Sequence, residues 1–479
     1  MYYNFNDEDN NSMSDKTFLY GNPSWQPHFE KGIGPIYKAI VSALENDIKY
    51  GILKAGDQLP PQRELADFLG VNFTTITRAY KICEQKGLIS AIVGKGTFVS
   101  VDANIESTTD DTEPYLIDLG RIHSLNNNRK YLSEAIVQVT QRMSVINYFA
   151  YDEPKRHISY QEVGSDWIKR FYFTVNPDDV FITSGTQNAL AVILLSLFQP
   201  GDKIGTTRLT YTGFKSIASM TGIQLVAVDT DKDGLIPDMV ERACQIDGIK
   251  GLYIMPECQN PTTCTLPAER RKAIAEIVRK YGLILIEDDT MSFLGNTDLP
   301  PVSSFAPENS LYINGTSKAL SVGLRIAFLY APSKFHEYIK QGIYNIDLTT
   351  SHFNAEIAAT LLENGSADAI IKEKQMEAEY RNQIVDDILS GYQVYGNKRD
   401  YFRWLILPEQ WTGAEFELCA RSAGIQVFSA ERFMVGNGPI PSAVRISTSA
   451  IEDVRELKAG LTILRQLLAA SPKLPEFVI

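Results

Sequence analysis

The sequence has no long apolar run and no cysteine pattern of a cross-linked or metal-bound protein. None of its hydrophobic stretches approaches the ~20 residues that a membrane-spanning helix needs, and its first residues are polar and acidic, unlike a secretory signal. Its five cysteines are odd in number and include no Cys-x-x-Cys pair, which argues against a disulfide framework and against a zinc site. These absences predict a cytoplasmic protein with no membrane segment and no structural metal.

Positive charge is also scarce, because 46 Lys and Arg stand against 58 Asp and Glu, for a net charge of −12. On its own this balance argues against a nucleic-acid partner. However, residues 31–100 carry nine Lys or Arg and six Asp or Glu, a balance of +3, which leaves −15 for the rest. A mildly basic module attached to an acidic body keeps a nucleic-acid partner open for that module.

Length and patterning predict several domains. At 479 residues the chain is long enough for two or three hydrophobic cores. The stretch 101–114 carries five acids and few apolar side chains, so it cannot order itself by burial. We predict a flexible polar arm (1–30), a small helical module (31–100), a solvated linker (101–114), a large α/β domain (115–350) and a small α+β domain (351–479).

The sequence pattern of the small module, residues 31–100, predicts three helices and a hairpin. The first helix is amphipathic, with apolar residues every four positions at Ile36, Ile40, Leu44 and Ile48. Residues 62–69 and 74–86 predict two short helices joined by a turn at Gly70. Such a pair is a helix-turn-helix, whose second helix enters the major groove of DNA. A small bundle with protein partners is the alternative.

The β-rich runs 88–93 and 97–99 flank Gly94-Lys95-Gly96, which predicts a hairpin whose tip offers a cation and N–H groups to phosphate. The order of these motifs closely resembles the winged helix of the GntR family of bacterial transcription factors, over roughly residues 33–100. The resemblance implies DNA contacts at Arg63, Thr74, Thr75, Arg78 and Lys95. The family usually begins its recognition helix with Ser-Arg or Thr-Arg, but this chain has Asn72-Phe73, which implies a different operator sequence.

From about residue 115, short apolar β runs alternate with helical ones, which predicts an α/β domain with a largely parallel sheet. Ligands of such sheets collect at the carboxyl ends of the strands. The predicted strands are 180–183, 203–207, 224–228, 251–255, 283–287, 311–313 and 326–330. Beyond them, the pattern predicts helices at 353–363, 367–389 and 451–468 and strands at 401–407, 425–428 and 444–447.

Ser317-Lys318 and Gly323-Leu324-Arg325 follow one of these strands at the spacing that pyridoxal-phosphate enzymes need. A lysine in a dry, cation-bearing pocket can lose its proton and form a Schiff base with the aldehyde of that cofactor. The arginine seven residues on can grip the phosphate through two oxygens at once. An ordinary surface turn is the alternative.

Further candidates stand near strand ends or in a late strand: Thr186, Gln187, Tyr211, Asn260, Asp288 and Arg445. A turn of small residues at a helix N-terminus offers N–H groups to a phosphate. An aspartate that faces a pyridine nitrogen keeps it protonated and makes the ring an electron sink. Core packing for Tyr211, a simple turn for Asn260 and a capping or metal-binding pair for Asp288 and Asp289 are the alternatives.

Taken in order, these positions resemble the aspartate-aminotransferase superfamily, fold type I of pyridoxal-phosphate proteins, from about residue 115 to 470. The resemblance implies that Thr186, Gln187 and Arg325 hold the phosphate and that Tyr211 stacks on the ring. It also implies that Asn260 bonds O3′ and Asp288 the ring nitrogen. Lys318 would form the internal aldimine, and Arg445 would bind the carboxylate of an amino-acid ligand.

Two positions depart from the pattern of that superfamily. Thr290 stands where a tyrosine usually bonds O3′, and Gly315 stands where a hydroxyl residue usually precedes the lysine by three. Cofactor binding survives such losses more easily than efficient turnover does. The departures therefore favour a ligand sensor over an efficient enzyme.

A GntR winged helix joined to an aminotransferase-like body resembles the MocR branch of bacterial regulators. The resemblance implies a homodimer, domain-swapped so that each winged helix lies over the partner's body, that binds double-stranded operator DNA. The body would sense a small amine, an amino acid or the cofactor itself by internal-to-external aldimine exchange at Lys318. The alternatives are an active aminotransferase with a DNA-binding appendage and a regulator that has lost the cofactor.

Overall fold

The computed structural model describes residues 24–27, 35–49, 52–53, 57–85, 88–92, 96–99, 116–125, 129–142, 148–149, 154–295, 298–436 and 438–470. Residues 1–114 and 115–479 form two compact units. The predicted linker, most of the predicted arm and Lys95 lie outside the described residues. None of the helices in the described ranges has both the length and the apolar character needed to cross a bilayer.

The first unit is a winged helix, as predicted. Its elements are α1 (Ile36–Lys49), β1 (Gln58–Leu59), α2 (Gln62–Leu69), α3 (Phe73–Gln85), β2 (Ile89–Ile92) and β3 (Gly96–Val99). The strands form an antiparallel sheet in the order β1-β3-β2. Between α2 and α3, Gly70 adopts φ 63°, a left-handed conformation that glycine reaches without steric penalty. The core contains Leu44, Leu65, Ile76 and Cys83, which are fully buried.

The second unit is built around a seven-stranded sheet. Its elements up to residue 347 are β4 (Ile117–Asp118), α4 (Arg129–Thr140), α5 (Pro154–Lys169), β5 (Val180–Thr183), α6 (Thr186–Leu197), β6 (Lys203–Thr207), α7 (Thr212–Met220), β7 (Gln224–Val228), β8 (Thr230–Asp231), β9 (Gly234–Leu235), α8 (Pro237–Arg242), β10 (Gly251–Ile254), α9 (Ala268–Tyr281), β11 (Ile284–Asp288), β12 (Ser310–Gly315), α10 (Thr316–Ala319), β13 (Ala327–Tyr330) and α11 (His336–Asp347). The sheet order is β5-β13-β12-β11-β10-β6-β7. Only β13 runs antiparallel to its neighbours in this sheet.

The elements after residue 350 are α12 (His352–Glu363), α13 (Ser366–Ile388), β14 (Val394–Tyr395), β15 (Phe402–Ile406), α14 (Gly413–Ser422), β16 (Ile425–Gln426), β17 (Phe428–Ser429), β18 (Ala443–Ser447) and α15 (Val454–Ala469). Four of these strands form a second, antiparallel sheet in the order β14-β15-β18-β17. The division of this unit into a large and a small domain at residue 350 stays a prediction.

Several predicted boundaries were wrong. The single strand predicted at 425–428 is two strands, because β16 pairs with β4 while β17 pairs with β18 in the other sheet. Helix α6 begins at Thr186, directly after Gly185, whose φ of 94° turns the chain. The last helix begins at Val454 rather than 451, because the Asp453 carboxylate caps it by accepting from the Arg455 amide.

Candidate functional site

The predicted cofactor residues lie at one edge of the seven-stranded sheet. Because β5, β6, β10, β11 and β12 run in one direction, their carboxyl ends meet the beginning of β13 at this edge. The residues that follow those ends, or precede β13, are Thr186, Gln187, Tyr211, Asn260, Asp288, Lys318 and Arg325. The topology therefore brings together residues that are far apart in sequence.

Lys318 lies in α10, one short helix beyond the end of β12. Its side chain is half-buried, and its Nζ donates to the carbonyl oxygen of Ile122. Burial, together with repulsion from Arg445 and Arg325, lowers the pKa of the Lys318 amine to about 8. A sizeable neutral share near pH 7–8 follows, which is what a nucleophilic lysine requires.

Asp288, the last residue of β11, is 2% exposed. Its Oδ1 accepts from the Thr290 hydroxyl at 2.5 Å and from the Thr290 amide at 3.3 Å. Its Oδ2 accepts from the Tyr253 hydroxyl at 3.1 Å. Burial raises the pKa of the Asp288 carboxyl, and the hydrogen bonds from Thr290 and Tyr253 oppose that rise. Thr290, which departs from the superfamily pattern, therefore orients Asp288.

A cradle for an anion lies at the N-terminus of α6. Arg325, which is exposed and has φ 52°, precedes β13. A Cβ atom on Gly185 would lie 2.9 Å from its Nη2 atom, so the guanidinium packs against the backbone where α6 begins. The first amides of a helix have no partner within the helix, and together with an arginine they suit a phosphate.

The Thr186 hydroxyl lies 3.2 Å from the Thr290 hydroxyl, which connects this cradle to the residue that orients Asp288. A Cβ atom on Gly315 would collide with the Thr186 hydroxyl. Glycine at the position three before Lys318, the second departure from the superfamily pattern, is thus explained by the close approach of Thr186.

Tyr211 is held by Gln187. Its hydroxyl donates to Gln187 Oε1 at 3.1 Å, and Gln187 Nε2 donates to the Gly213 carbonyl at 3.0 Å. Burial raises the pKa of the Tyr211 hydroxyl; the charge of Asp288 adds to the rise, and those of Arg445 and Arg325 oppose it. Tyr211 is therefore within electrostatic reach of all three charged residues. The side chain of Gln187 positions Tyr211. The backbone amide of Gln187, in the first turn of α6, remains available for a phosphate.

Arg445 lies in β18, outside the seven-stranded sheet, yet it reaches the same site. Its Nη1 donates to Asn260 Oδ1 and its Nη2 to the Gly120 carbonyl, both at 2.6 Å. The guanidinium carbon lies 4.9–5.5 Å from the ring centroids of Phe402, Phe428 and Phe433. Its Nε is buried and has no hydrogen-bond partner among the described residues. Burial lowers the pKa of Arg445 to about 9.

These residues fit pyridoxal phosphate. The buried carboxylate of Asp288 suits a protonated pyridine nitrogen, and Gly185 with Arg325 offers a cradle that a side chain on residue 185 would fill. Lys318 supplies an amine with a lowered pKa. Beside these residues, the Nε of Arg445 has no partner among the described residues and is one donor available to a carboxylate.

Tyr253, which supports Asp288, was missed in the sequence. It lies inside the apolar strand β10, where a tyrosine reads as core packing. Gly120 was missed as well, because the segment after β4 carries no motif. The pairing of β4 with β16, and a hydrogen bond from the Ser447 amide to the Leu119 carbonyl, bring that segment next to Arg445.

In the winged helix, Arg63, Thr74 and Arg78 are exposed and Thr75 is half-buried. Asn72 caps α3, since its Oδ1 accepts from the Thr74 amide and the Thr74 hydroxyl, both at 2.9 Å. The guanidinium carbon of Arg78 lies 4.1 Å from the centroid of the Tyr37 ring. The departure at Asn72 thus provides a helix cap where the family usually has Ser or Thr.

Two family models match the chain: "Bacterial regulatory proteins, gntR family" over residues 36–99 and "Aminotransferase class I and II" over residues 117–462. The uncharacterized HTH-type transcriptional regulator YdeF of Bacillus subtilis is 40% identical over 447 residues, covering 93% of this chain and 97% of YdeF. The vitamin B6 salvage pathway transcriptional repressor PtsJ of Salmonella typhimurium is 24% identical, with 88% and 96% covered. An archaeal alanine:glyoxylate aminotransferase structure matches with TM-score 0.68 and 22% identity, covering 74% of this chain and 91% of that one.

The fold and the site define a transcriptional regulator in which a winged helix is joined to a pyridoxal-phosphate-dependent domain of fold type I. The chain belongs to the GntR family of bacterial regulators, in the MocR-like group that carries an aminotransferase class I and II domain.

Proposed function

We propose that this regulator senses a small amine, best an amino acid, at the cofactor site, and that occupancy changes its affinity for operator DNA. The observation that carries the proposal is the 2.6 Å bond between Arg445 and Asn260. It connects an arginine able to bind a carboxylate to a residue of the cofactor site. A ligand with an amino group and a carboxylate would then meet Lys318 at one end and Arg445 at the other.

When bound, pyridoxal phosphate supplies an aldehyde that condenses with amines and a ring that withdraws electrons. Arg325, the Thr186 hydroxyl and the first amides of α6 would hold the phosphate. Asp288, oriented by Thr290 and Tyr253, would keep the proton on the ring nitrogen. Lys318, with its lowered pKa, would accept and release the proton that moves when an incoming amine takes its place.

The carboxylate of an amino-acid ligand would bond to N–H groups of Arg445 that now donate to other residues of the chain. Arg445 donates to the carbonyl oxygen of Gly120 and to Asn260, and a bidentate carboxylate would compete for the same fork. The segment around Gly120 would then shift away from Arg445. To move a population from mostly one conformer to mostly the other, the ligand must favour the second by roughly 5 kcal/mol.

A working aminotransferase is the second candidate, because Lys318, Asp288 and Arg325 are all present. The regulator is favoured because Thr290 bonds Asp288 and stands in place of the tyrosine of active superfamily members. Measurement of steady transfer from amino donors to keto acids, with purified protein and added cofactor, separates the two. Sustained turnover would support the enzyme, whereas a single stoichiometric change in the cofactor's absorbance band supports the sensor.

The cofactor itself is a second possible signal, since the printed name of PtsJ ties that relative to vitamin B6 salvage. We further propose that the protein works in the cytoplasm as a domain-swapped homodimer, so that two winged helices bind two half-sites. Arg63, Thr74, Thr75, Arg78 and Lys95 would contact the DNA.

The experiment is a parallel titration of the purified, cofactor-loaded protein with a panel of amino acids and simple amines. The cofactor's visible absorbance band and the affinity for DNA upstream of the protein's own gene are followed together. The proposal expects a ligand that changes both with the same midpoint. If ligands change the band and leave DNA affinity constant, the sensing role is wrong.

A further inference from the structure

Lys374 is a fully buried lysine in α13, 56 residues beyond Lys318 in the chain. Its Nζ donates to the Ser124 hydroxyl at 2.6 Å, the Leu320 carbonyl at 2.8 Å and the Lys318 carbonyl at 3.0 Å. Three oxygen acceptors match the three N–H groups of an ammonium. Within the described part of the chain, no carboxylate pairs with it.

A buried cation without a counter-charge is unfavourable for folding. Burial, and then the charge of Lys318, lowers the pKa of Lys374 to about 7. An apolar side chain of similar length would fill the same space without that penalty. The presence of a lysine at position 374 is therefore better explained by the groups that its three hydrogen bonds position than by a contribution to the stability of the fold.

The three bonds of Lys374 close a ring of contacts around Lys318. The Ser124 hydroxyl, which accepts from Lys374, also lies 3.1 Å from the Lys318 carbonyl, to which it donates. Two residues before Ser124, the Ile122 carbonyl accepts from the Lys318 amine. Lys374 thus contacts the backbone of Lys318 directly and, through Ser124, holds the segment that receives its amine.

We propose that Lys374 is a positioning residue that fixes where the Lys318 amine lies relative to the cofactor aldehyde. It acts through the Lys318 carbonyl on one side and through Ser124 on the other. The inference rests on the proposed role of Lys318 as the residue that carries the cofactor. It adds that α13, which joins the sheet unit to the elements after residue 390, controls how readily an incoming amine takes the place of Lys318.

The test compares Lys374→Met, which keeps the length and removes every donor, with Lys374→Gln, which keeps an amide donor. Lys372→Met is the matched control, because Lys372 is exposed on the same helix. Three quantities are measured for each purified full-length protein: the dissociation constant for pyridoxal phosphate, the rate at which a simple amine changes the visible band, and the melting temperature without cofactor.

Lys374→Met is expected to raise the dissociation constant on the order of tenfold, because two carbonyls and a hydroxyl lose their donor. It should change the amine rate as well. The melting temperature should stay near the wild-type value, since removal of a buried charge that has no counter-charge offsets the loss of three hydrogen bonds. Lys374→Gln should recover part of the loss, and Lys372→Met should match the wild type. Ser124→Ala, which leaves Lys374 in place, should reproduce the same effects at a smaller size.

A merely structural role for Lys374 predicts the opposite pattern. Lys374→Met would then lower the melting temperature and leave the dissociation constant and the amine rate of the folded protein unchanged, which overturns the inference. If Lys374→Met fails to fold, the test rests on Ser124→Ala. The inference is overturned if that variant binds the cofactor and reacts with the amine as the wild type does. If Lys318→Ala binds cofactor and amine like the wild type, the proposed role of Lys318 fails, and this inference with it.

Discussion

Arg445 and Arg63 are both arginines proposed to bind an anion, yet the structure places them in opposite surroundings. Arg445 is 5% exposed, donates to Asn260 and Gly120 at 2.6 Å and lies among three phenylalanine rings. Arg63 is exposed on α2, with its guanidinium carbon 5.9 Å from the centroid of the Phe73 ring. The first is held by hydrogen bonds within the chain, whereas the proposed role of the second would require the DNA to fix its geometry.

Because of this difference in burial, the cofactor site and the winged helix should differ in how strictly they select an anionic ligand. A buried, prepositioned cation interacts strongly because water and salt are excluded, and it rejects a ligand that leaves it unpaired. An exposed cation contributes mainly by releasing counter-ions from DNA, which is weaker and depends on salt. Substitutions at the cofactor site should therefore have large effects that are insensitive to salt, and substitutions in the winged helix smaller ones that vary with it.

The largest effect is expected for Lys318→Ala, which removes the amine proposed to hold the cofactor. The visible band of bound pyridoxal phosphate should disappear, and DNA binding should no longer respond to amines. Lys215→Met is a matched control. Lys215 is also half-buried and burial likewise lowers its pKa to about 8, but its Nζ donates to the Arg432 carbonyl. An unchanged band in Lys318→Ala would show that a lowered pKa alone does not identify the site.

Arg445→Lys should come next. It keeps the positive charge but loses the fork that binds two carboxylate oxygens. We expect amino-acid affinity, read from the cofactor band, to fall by about 3 kcal/mol, roughly a hundredfold. Affinity for an amine without a carboxylate should stay near the wild-type value, and the loss should be the same at low and high salt. An equal loss for both ligands would mean that Arg445 maintains the fold rather than binding the carboxylate.

The pH dependence of cofactor uptake tests the environment of Lys318. Because the pKa of the amine is lowered from 10.5 to about 8, the neutral, reactive form increases as pH rises and is nearly complete above the folded pKa. Uptake of pyridoxal phosphate by cofactor-free protein should rise about tenfold per pH unit below pH 8 and level off near pH 9. A rise that continues to pH 10.5 would contradict the burial of Lys318.

A smaller, salt-dependent effect is expected for Arg63→Ala in the winged helix. DNA affinity should fall by about 1 kcal/mol, and the slope of log affinity against log salt should decrease by about one. Lys38→Ala is the control, since Lys38 is exposed on α1, outside the helix-turn-helix pair. Equal effects in the two variants would show a general loss of charge and not a specific contact.

The smallest effect should come from Thr290→Val, which removes the hydroxyl that donates to Asp288 Oδ1 at 2.5 Å. Loss of one hydrogen bond to a buried carboxylate should weaken cofactor binding by about 1 kcal/mol, and the pKa of Asp288 should rise. Thr290→Ser keeps the hydroxyl and should bind cofactor like the wild type. If valine and serine behave alike, Tyr253 and the Thr290 amide are enough to orient Asp288.

The sequence could place the proposed cofactor residues at strand ends because most of them stand in short local patterns after apolar strands, although their roles stay predictions. Lys318, Asp288 and Tyr211 could be aligned with strand ends before the strand order was known, since parallel strands present their carboxyl ends at one edge. Lys374 and Tyr253 could not be found in this way. Each lies in a regular element without a motif, and its role follows from tertiary contacts alone.

Predicted strand boundaries were wrong where the pairing of strands in the fold overrides the conformational preference of the local sequence. Nothing in the apolar run 425–428 shows that its two halves join different sheets, because that depends on β4, about 300 residues earlier. Strand β1, with two residues, carries too little pattern to be predicted and is recognised only through its pairing with β3.

The most direct test of the central claim is the DNA affinity of the cofactor-loaded protein as a function of the concentration of an amine that changes its visible band. If the cofactor site controls the winged helix, the two titrations should share one midpoint in the wild type. Arg445→Lys should shift both midpoints together, and Lys318→Ala should abolish both responses. DNA affinity that stays constant while the band changes fully would contradict the claim that the cofactor site controls the winged helix.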